Sequence, residues 1–195
     1  PTPVNQKKIR LIHHGAANPS RQLEIMIEMM EYLDERFTLD LMLLTPTIAN
    51  KKTRGYLDSL KTLIKDKPRI RIIPPVKSSE VVNSIHTYDI GVFLLPPINF
   101  NYANTLPNKL FDFIQARLAI AIGPTPEMAN IVNTHNLGVV ADDFKPQSIA
   151  KKLNSLTAEK ISLFKTQADK SAKEFSAEKN KIILKDLVMN LLIET

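Results

Sequence analysis

The chain has 195 residues, 44% of them hydrophobic, which is enough apolar material for the packed core of one large domain. The absence of cysteine excludes disulfides and thiolate chemistry and fits a reducing compartment, and no apolar run reaches the roughly 18 to 20 residues that span a bilayer. The formal net charge of +6 favours anionic partners, but many lysines follow Lys145 among acidic residues, so we interpret them as solvated helix faces and predict no nucleic-acid partner.

Six short apolar runs alternate with longer amphipathic stretches, and each run has the length of a buried strand. The first amphipathic stretch, residues 21–36, has apolar residues at spacings of four and three from Leu23 to Leu33, which predicts a helix with one buried face. Such alternation is typical of parallel βαβ units. We therefore predict an α/β fold class, a doubly wound, Rossmann-like parallel sheet of about six strands with helices on both faces. The predicted strands are 8–13 (KIRLIH), 37–44 (FTLDLMLL), 69–73 (RIRII), 89–95 (DIGVFLL), 118–122 (LAIAI) and 137–141 (LGVVA).

Turn residues indicate where two of the helices begin. Asn18 and Thr125 each precede a proline, a pattern that predicts an N-cap followed by a proline in the first turn. After Asp143 the strand pattern ends, and we predict a helical C-terminal extension of a single domain that comprises residues 1–195. The three predicted helices of this extension are 146–156, 158–175 and 177–194.

The methionines of the first amphipathic stretch, Met26, Met29 and Met30, have the helical spacing of core residues.

Ligands of an open parallel sheet bind at the carboxyl ends of the strands, so the loop after the first strand is a candidate site. Gly15 follows that strand, and a helix beginning near Asn18 would direct its positive dipole end into the same crevice. Arg21 would then lie in the first helical turn, where a cation is unfavourable unless an anion shares the site. An exposed Arg21 without function remains the alternative.

The loop after the fourth strand repeats this arrangement. Pro107 suits the start of a helix, Lys109 follows in its first turn, and Asp112 lies three residues further on the same face. Two cations at two helix starts on one sheet edge would frame a diphosphate, and Asp112 could accept hydrogen bonds from sugar hydroxyls. The alternative is a solvated Lys109–Asp112 pair worth roughly 0.2–0.5 kcal/mol.

Other chemistry has little support in the sequence. Neither G-x-G-x-x-G nor a P-loop motif is present, and the histidines lack metal-ligand spacing, so we predict no metal. His13 and His14 continue a buried strand, while His86 and His135 are isolated. The adjacent carboxylates Asp142 and Asp143 are predicted in a turn before a helix.

Three segments together resemble the C-terminal, donor-binding domain of retaining glycosyltransferases with the two-domain GT-B fold, of the group 1, capsule and surface-polysaccharide type. The segments are HHGAANPSRQLE (13–24), PPVKSSEVVNSIHTYDIGVFLLPP (74–97) and TLPNKLFDFIQARLAIAIGPTPEM (105–128), and the resemblance covers nearly the whole chain. The last is the most specific, since family members commonly have P-x-K-x-x-E before a small-residue helix and an apolar strand.

The resemblance implies a nucleoside diphosphate sugar, UDP- or GDP-linked, as donor substrate and no other cofactor. It implies catalytic roles for Arg21 and Lys109 beside the donor diphosphate, with Gly15 close to the same group. Asp112 takes the place of the glutamate that binds the ribose hydroxyls. The remaining positions that it assigns to donor binding are Val76, Asn104, Leu106 and Pro107.

The chain departs from the family pattern at three positions. Asp112 is shorter than glutamate, Asn104 stands where many members have a second glutamate that contacts the donor sugar, and Arg117 stands where glycine is usual after the helix. The leading hypothesis is a donor-binding domain that transfers a sugar to an acceptor hydroxyl in polysaccharide or glycoconjugate synthesis. A non-catalytic nucleotide-binding or partner-binding α/β module is the alternative, and a nucleotide-sugar epimerase comes third.

The resemblance also implies what the rest of such an enzyme would provide. An N-terminal acceptor domain, absent from this sequence, would bind a sugar or lipid-linked acceptor, and without it we expect nucleotide binding but no transfer. The helix from Ser176 to Glu194 would pack toward that domain. The implied location is the cytoplasm, with peripheral association of the full-length protein at the inner face of the membrane.

Overall fold

The computed structural model describes residues 1–45 and 51–193. In this part of the chain, six parallel strands form one sheet in the order β3-β2-β1-β4-β5-β6. The strands are β1 (Ile9–Ala16), β2 (Phe37–Leu44), β3 (Ile70–Ile73), β4 (Ile90–Phe93), β5 (Ala119–Ile122) and β6 (Gly138–Val140). The predicted fold class is confirmed, and each predicted strand is present within a few residues of its expected bounds.

Helices cover both faces of this sheet, as the prediction required. One face packs against α1 (Glu24–Met29), α2 (Lys51–Leu63), α7 (Pro146–Asn154) and the start of α8 (Ala158–Ser171). The opposite face packs against α3 (Val81–Ile85), α5 (Asn108–Gln115), α6 (Pro126–Thr134) and the end of α8. The remaining described helices are α4 (Phe100–Ala103) and α9 (Ala177–Ile193).

The helix predicted over residues 21–36 begins later and is shorter than expected. The Asn18 side chain caps a 3-10 turn, Pro19–Arg21, by accepting a hydrogen bond from the Ser20 N–H, and Gln22 then adopts a left-handed φ of 48°. This interruption delays α1 to Glu24. The predicted burial nevertheless holds, because the following apolar residues all lie in the core: Leu23, Met26, Ile27, Met29, Met30 and Leu33.

Two other predicted turns differ in detail. Thr125 precedes α6, but its side chain makes no capping hydrogen bond, and its buried Oγ1 has no hydrogen-bond partner among the described residues. Asp143 does lie in a turn before α7, where its Oδ1 accepts a hydrogen bond from the Lys145 N–H at 2.9 Å.

The C-terminal extension comprises α7, α8 and α9, as predicted, with Glu194 outside the described residues. Helix α8 is anchored through the buried Lys165, whose Nζ donates to the Tyr88 carbonyl at 2.9 Å. Helix α9 instead exposes a series of apolar side chains. They are Ile182, Ile183, Leu184, Leu187, Val188 and Met189.

Arg117 lies in the short segment between α5 and β5 and has a φ of 60°, in the left-handed region that favours glycine. Its guanidinium Nε donates to Asp169 Oδ1 at 2.7 Å, and both side chains are partly exposed. The side chain therefore compensates in part for a strained backbone, since exposed ion pairs contribute about 0–1 kcal/mol.

We predict that Arg117→Gly is more stable than Arg117→Ala by about 1 kcal/mol, because only glycine adopts this φ without strain. Both variants lack the Asp169 contact, so their difference isolates the backbone. Chemical denaturation measures it. Equal stabilities would show that the left-handed conformation at this position costs nothing.

Candidate active site

The order of the strands places a crevice between β1 and β4. Neighbouring strands β1 and β4 send their following helices to opposite faces of the sheet, so their carboxyl ends form the switch point where ligands of such sheets bind. Gly15 lies at this end of β1, with a φ of 131°. A Cβ at Gly15 would lie 3.4 Å from Lys109 Nζ and 3.6 Å from Arg21 Nη1, so three residues far apart in sequence meet here.

Lys109 lies in the first turn of α5, and only 5% of the residue is exposed. Its ammonium donates a hydrogen bond to His13 Nε2 at 3.1 Å and lies 4.0 Å from the centre of the Phe93 ring. The other nitrogen of His13, Nδ1, donates to the Val92 carbonyl at 3.0 Å. That bond assigns the proton of a neutral imidazole to Nδ1 and leaves a lone pair on Nε2 for Lys109.

The burial of Lys109 decides between the two interpretations of its pairing with Asp112. A solvated pair requires both side chains in water, whereas Lys109 is buried and only the Asp112 side chain is partly exposed, at 32%. Among the described residues, no carboxylate oxygen lies within 4.0 Å of the Lys109 or Arg21 side-chain nitrogens. The solvated-pair interpretation is therefore wrong, and the site holds two cations without a close anion.

This arrangement shifts the proton affinities of the buried pair. Burial lowers the pKa of Lys109 well below its usual range, and the charge of Arg21 lowers it further, while Asp112 opposes both. Burial also lowers the pKa of His13, with the Lys109 charge acting in the same direction. An anion next to Lys109 would favour the charged lysine and raise its pKa, against the lowering caused by Arg21.

Asp112 and His14 form a second polar pair beside this one. His14 Nε2 lies 3.5 Å from Asp112 Oδ2, longer than a good hydrogen bond, and that nitrogen has no hydrogen-bond partner among the described residues. Burial lowers the pKa of His14 to about 3, with Lys109 and Arg21 contributing, so the imidazole is neutral at pH 7. Burial raises the pKa of Asp112, against the effect of Lys109.

Arg21 does not lie in the first turn of an α-helix, contrary to the prediction. It is the last residue of the 3-10 turn, because Gln22 breaks the helical backbone. The turn is nevertheless fixed to the other loop of the crevice, since Ser20 Oγ and Tyr102 Oη are 2.8 Å apart. Arg21 is thus placed by a hydrogen-bonded loop and not by a helix end.

The other predicted site residues lie along the same edge of the sheet. Pro107 is the N-cap of α5 rather than its first helical residue, and Leu106 before it is 43% exposed. Asn104 is the C-cap of α4, and its Nδ2 donates to the Phe100 carbonyl at 2.9 Å. Val76 follows β3, two strands from β1, and packs against the core on the α3 side.

Four residues of the site did not emerge from the sequence as parts of it. They are His13, His14, Phe93 and Tyr102. The signal available was the run of two histidines directly after Leu11 and Ile12 in a predicted buried strand, since a buried polar side chain needs a partner. The partners themselves are distant in sequence, so no local pattern could identify them.

No three side chains of His, Asp or Glu are grouped closely enough to bind a metal ion in residues 1–45 and 51–193. No helix in the same ranges combines the length and apolar character that a membrane span requires.

Comparison with known proteins finds similarity in structure alone. No family model and no curated protein matches the chain. Sucrose-phosphate synthase from Thermosynechococcus elongatus matches with a TM-score of 0.78 at 8% identity over 98% of this chain and 47% of its own. Anabaena HepE, solved with UDP and glucose, matches with a TM-score of 0.73 at 13% identity over 94% of this chain and 49% of its own.

A third match is a single domain. The C-terminal domain of LpcC, a group 1 family glycosyltransferase from Francisella tularensis, has a TM-score of 0.68 at 14% identity, and the match covers 90% of this chain and 95% of that one. The chain has the fold of the matched parts of these three proteins. It spans about half the length of the first two proteins, 47% and 49%.

We predict that His14 makes the fold less stable as the pH falls. Its pKa changes from 6.5 in the unfolded chain to about 3 in the folded one, so below pH 6.5 the unfolded state binds a proton that the folded state does not. The loss from this group between pH 7 and pH 5 is about 2 kcal/mol.

The test is urea denaturation of wild type and His14→Gln at pH 7 and at pH 5. On acidification the variant should lose about 2 kcal/mol less of its free energy of unfolding than wild type does. His13 acts in the same direction and remains in both proteins. His86→Gln, the same exchange at an exposed position, is the matched control. An identical loss in wild type and His14→Gln would contradict the prediction.

Proposed function

We propose that this chain is the donor-binding half of a nucleotide-sugar-dependent glycosyltransferase. The observation that carries the proposal is the convergence of Lys109 and Arg21 on Gly15 at the switch point of the sheet. Like charges converging in a buried crevice destabilise the protein unless an anion enters. The similarity to HepE supports the same class of ligand, because that protein was solved in complex with UDP and glucose.

The diphosphate of the donor would lie against Gly15. A side chain there would lie close to the ammonium of Lys109, so the absent Cβ leaves room for a phosphate oxygen to approach both cations. Lys109 would donate from its free N–H groups while His13 keeps the third in place. Each contact to the charged phosphate would contribute roughly 1.5–3 kcal/mol.

The nucleoside and sugar would occupy the neighbouring positions. The Asp112 carboxylate accepts no hydrogen bond within the described part of the chain, so it is available to the vicinal hydroxyls of ribose. The segment that contains Leu106 and Pro107 would line the diphosphate, the backbone around Val76 would line the base, and Asn104 would reach a hydroxyl of the donor sugar. The donor is a UDP- or GDP-sugar.

In the reaction, the glycosyl unit would pass from the donor to an acceptor hydroxyl, and negative charge would develop on the departing diphosphate. Arg21 and Lys109, placed in advance, would stabilise that charge and act as the catalytic residues of this half. An N-terminal domain would bind a sugar or lipid-linked acceptor, and the exposed apolar side chains of α9 would pack on it. We place this activity in surface-polysaccharide or glycoconjugate synthesis, in the cytoplasm or at the inner face of the membrane.

One observation favours the alternative of a non-catalytic nucleotide-binding module. The Asn104 amide is engaged by the Phe100 carbonyl of its own helix turn, and it carries no charge to offer the donor sugar. A protein of that class would bind nucleoside diphosphate and nucleotide sugar equally well. A transferase domain should bind the two differently, since its site contacts the sugar.

We predict that Arg21→Ala and Lys109→Met each weaken UDP or GDP binding by about tenfold to a hundredfold, which corresponds to the loss of one charge-assisted contact. Methionine keeps the buried side chain's length, so the fold should persist. Asp112→Asn should weaken binding of UDP more than of its 2′,3′-dideoxy analogue. Calorimetric titration with UDP, GDP and ADP measures all of these affinities.

Lys165→Met is the matched control for these titrations. It removes another buried lysine, at 1% exposure, whose Nζ contacts the Tyr88 carbonyl at the other end of β4, and it should leave nucleotide affinity unchanged. If all three site variants bound nucleotides as tightly as wild type, neither cation would contact the ligand and the proposed function would lose its physical basis.

We predict that the protein takes up protons when it binds UDP at pH 8. Burial and Arg21 lower the pKa of Lys109, and a bound diphosphate raises it again, so the lysine gains protonation in the complex. Binding enthalpies measured in buffers of different ionisation enthalpy give the number of protons. Net uptake should vanish in Lys109→Met, and zero uptake by wild type would show that Lys109 is already fully charged in the free protein.

A further inference from the structure

A second concentration of positive charge lies at the opposite end of β1 from Gly15. There a cavity of about 410 Å³ is lined by Lys8, Arg10, Thr38, Pro68, Arg69 and Arg71. The cross-strand register pairs Arg10 with Thr38 and Asp40 with Arg71, which sets these side chains on one face of adjacent strands. Four cations thus line the cavity, and none of its described lining residues is a carboxylate.

Two of the four cations are held by partners in the protein. Arg71 makes a two-pronged contact with Asp40, from Nε to Oδ1 at 2.8 Å and from Nη2 to Oδ2 at 2.6 Å. Tyr88 also donates to Asp40 Oδ2, at 2.6 Å, so the carboxylate is fixed from both sides. The Arg71 side chain is still 66% exposed, and its Nη1 makes no hydrogen bond in the described part of the chain.

Arg69 is satisfied in a different way. Its Nη1 donates to the carbonyl of Asp34 at 2.7 Å and its Nη2 to the carbonyl of Met30 at 2.7 Å. These bonds satisfy carbonyl groups at and after the end of α1. These bonds explain why the fold needs Arg69. They also fix the position of its charge at the wall of the cavity.

Lys8 and Arg10 have no such explanation. No carboxylate oxygen of the described residues lies within 4.0 Å of either side-chain nitrogen group, although Arg10 stacks at 4.2 Å over the Tyr88 ring. The stack restricts the guanidinium, and its charge contributes to the lowered pKa of Asp40 and opposes the burial that raises the pKa of Asp89. In the described part of the chain, Lys8 and Arg10 therefore face one cavity without a direct ion pair, beside the free Nη1 of Arg71 and the hydroxyl of Thr38.

We propose that this cavity binds a phosphate group that carries two negative charges, such as a phosphate monoester. Lys8 and Arg10, which make no direct ion pair among the described residues, match the two negative charges, and the guanidinium and hydroxyl donors match the phosphate oxygens. Because the donors are built on hydrogen-bonded strands, the site is formed before the ligand arrives. The group could come from a small phosphorylated molecule or from a lipid headgroup of the same chemistry.

The test titrates the whole chain with inorganic phosphate at pH 8 and constant ionic strength, followed by amide chemical shifts. The expected result is a saturable change at Lys8, Arg10, Thr38 and Arg71, with affinity lowered about tenfold or more in the double variant Lys8→Gln/Arg10→Gln. Lys7→Gln/Lys145→Gln removes the same charge outside the cavity and should bind as wild type. Thermal denaturation checks that each variant is folded.

Vesicles distinguish the two sources of the phosphate. Sedimentation with phosphatidic acid vesicles, but not with phosphatidylglycerol vesicles, would assign a lipid monoester, whereas no sedimentation together with phosphate binding would assign a soluble ligand. The proposal is overturned if phosphate causes no saturable shift at this end of the sheet, if the double variant binds as wild type, or if both vesicle types capture the protein equally.

Discussion

The burial of one lysine determines the character of the crevice. Lys109 is removed from water, and its ammonium contacts a histidine nitrogen and the face of Phe93. Among the described residues, no carboxylate oxygen lies within 4.0 Å of it. A buried charge is costly unless it is paired, so the protein either lowers the pKa of the lysine, which favours its neutral form, or binds an anion beside it. The free protein does the first, and a phosphate ligand would allow the second.

Lys109 is placed by close packing elsewhere in α5. The Phe113 ring, one turn further along the same helix, lies directly over Gly91 of β4, where any Cβ would be 2.4 Å from the ring. The absent side chain lets the helix approach the sheet closely, and Phe113 is fully buried there. A larger residue at Gly91 would push α5 outward and carry Lys109 away from His13. The site thus depends on a contact that contains no polar atom.

The architecture could be predicted from the sequence because strand runs and helix stretches differ in period along the whole chain, and helical spacing identified the buried residues from Leu23 to Leu33. The start of α1 could not, since it depends on Gln22 taking a left-handed conformation that proline and asparagine patterns do not specify. The cations Arg21 and Lys109 were identifiable by type and loop. His13 was not identifiable as the partner of Lys109, because only the pairing of β1 with β4 brings the two together.

Cations at the two edges of this sheet have different origins. Parallel strands with crossover helices place helix C-termini, with their free carbonyls, at the amino edge, where positive side chains are favourable. Arg69 illustrates this, because it donates to carbonyls that follow α1. The carboxyl edge receives helix N-termini, so the same argument makes Lys109 unfavourable at the start of α5. Its presence there conflicts with the electrostatics of the fold, and such local conflicts are expected at functional or strained sites.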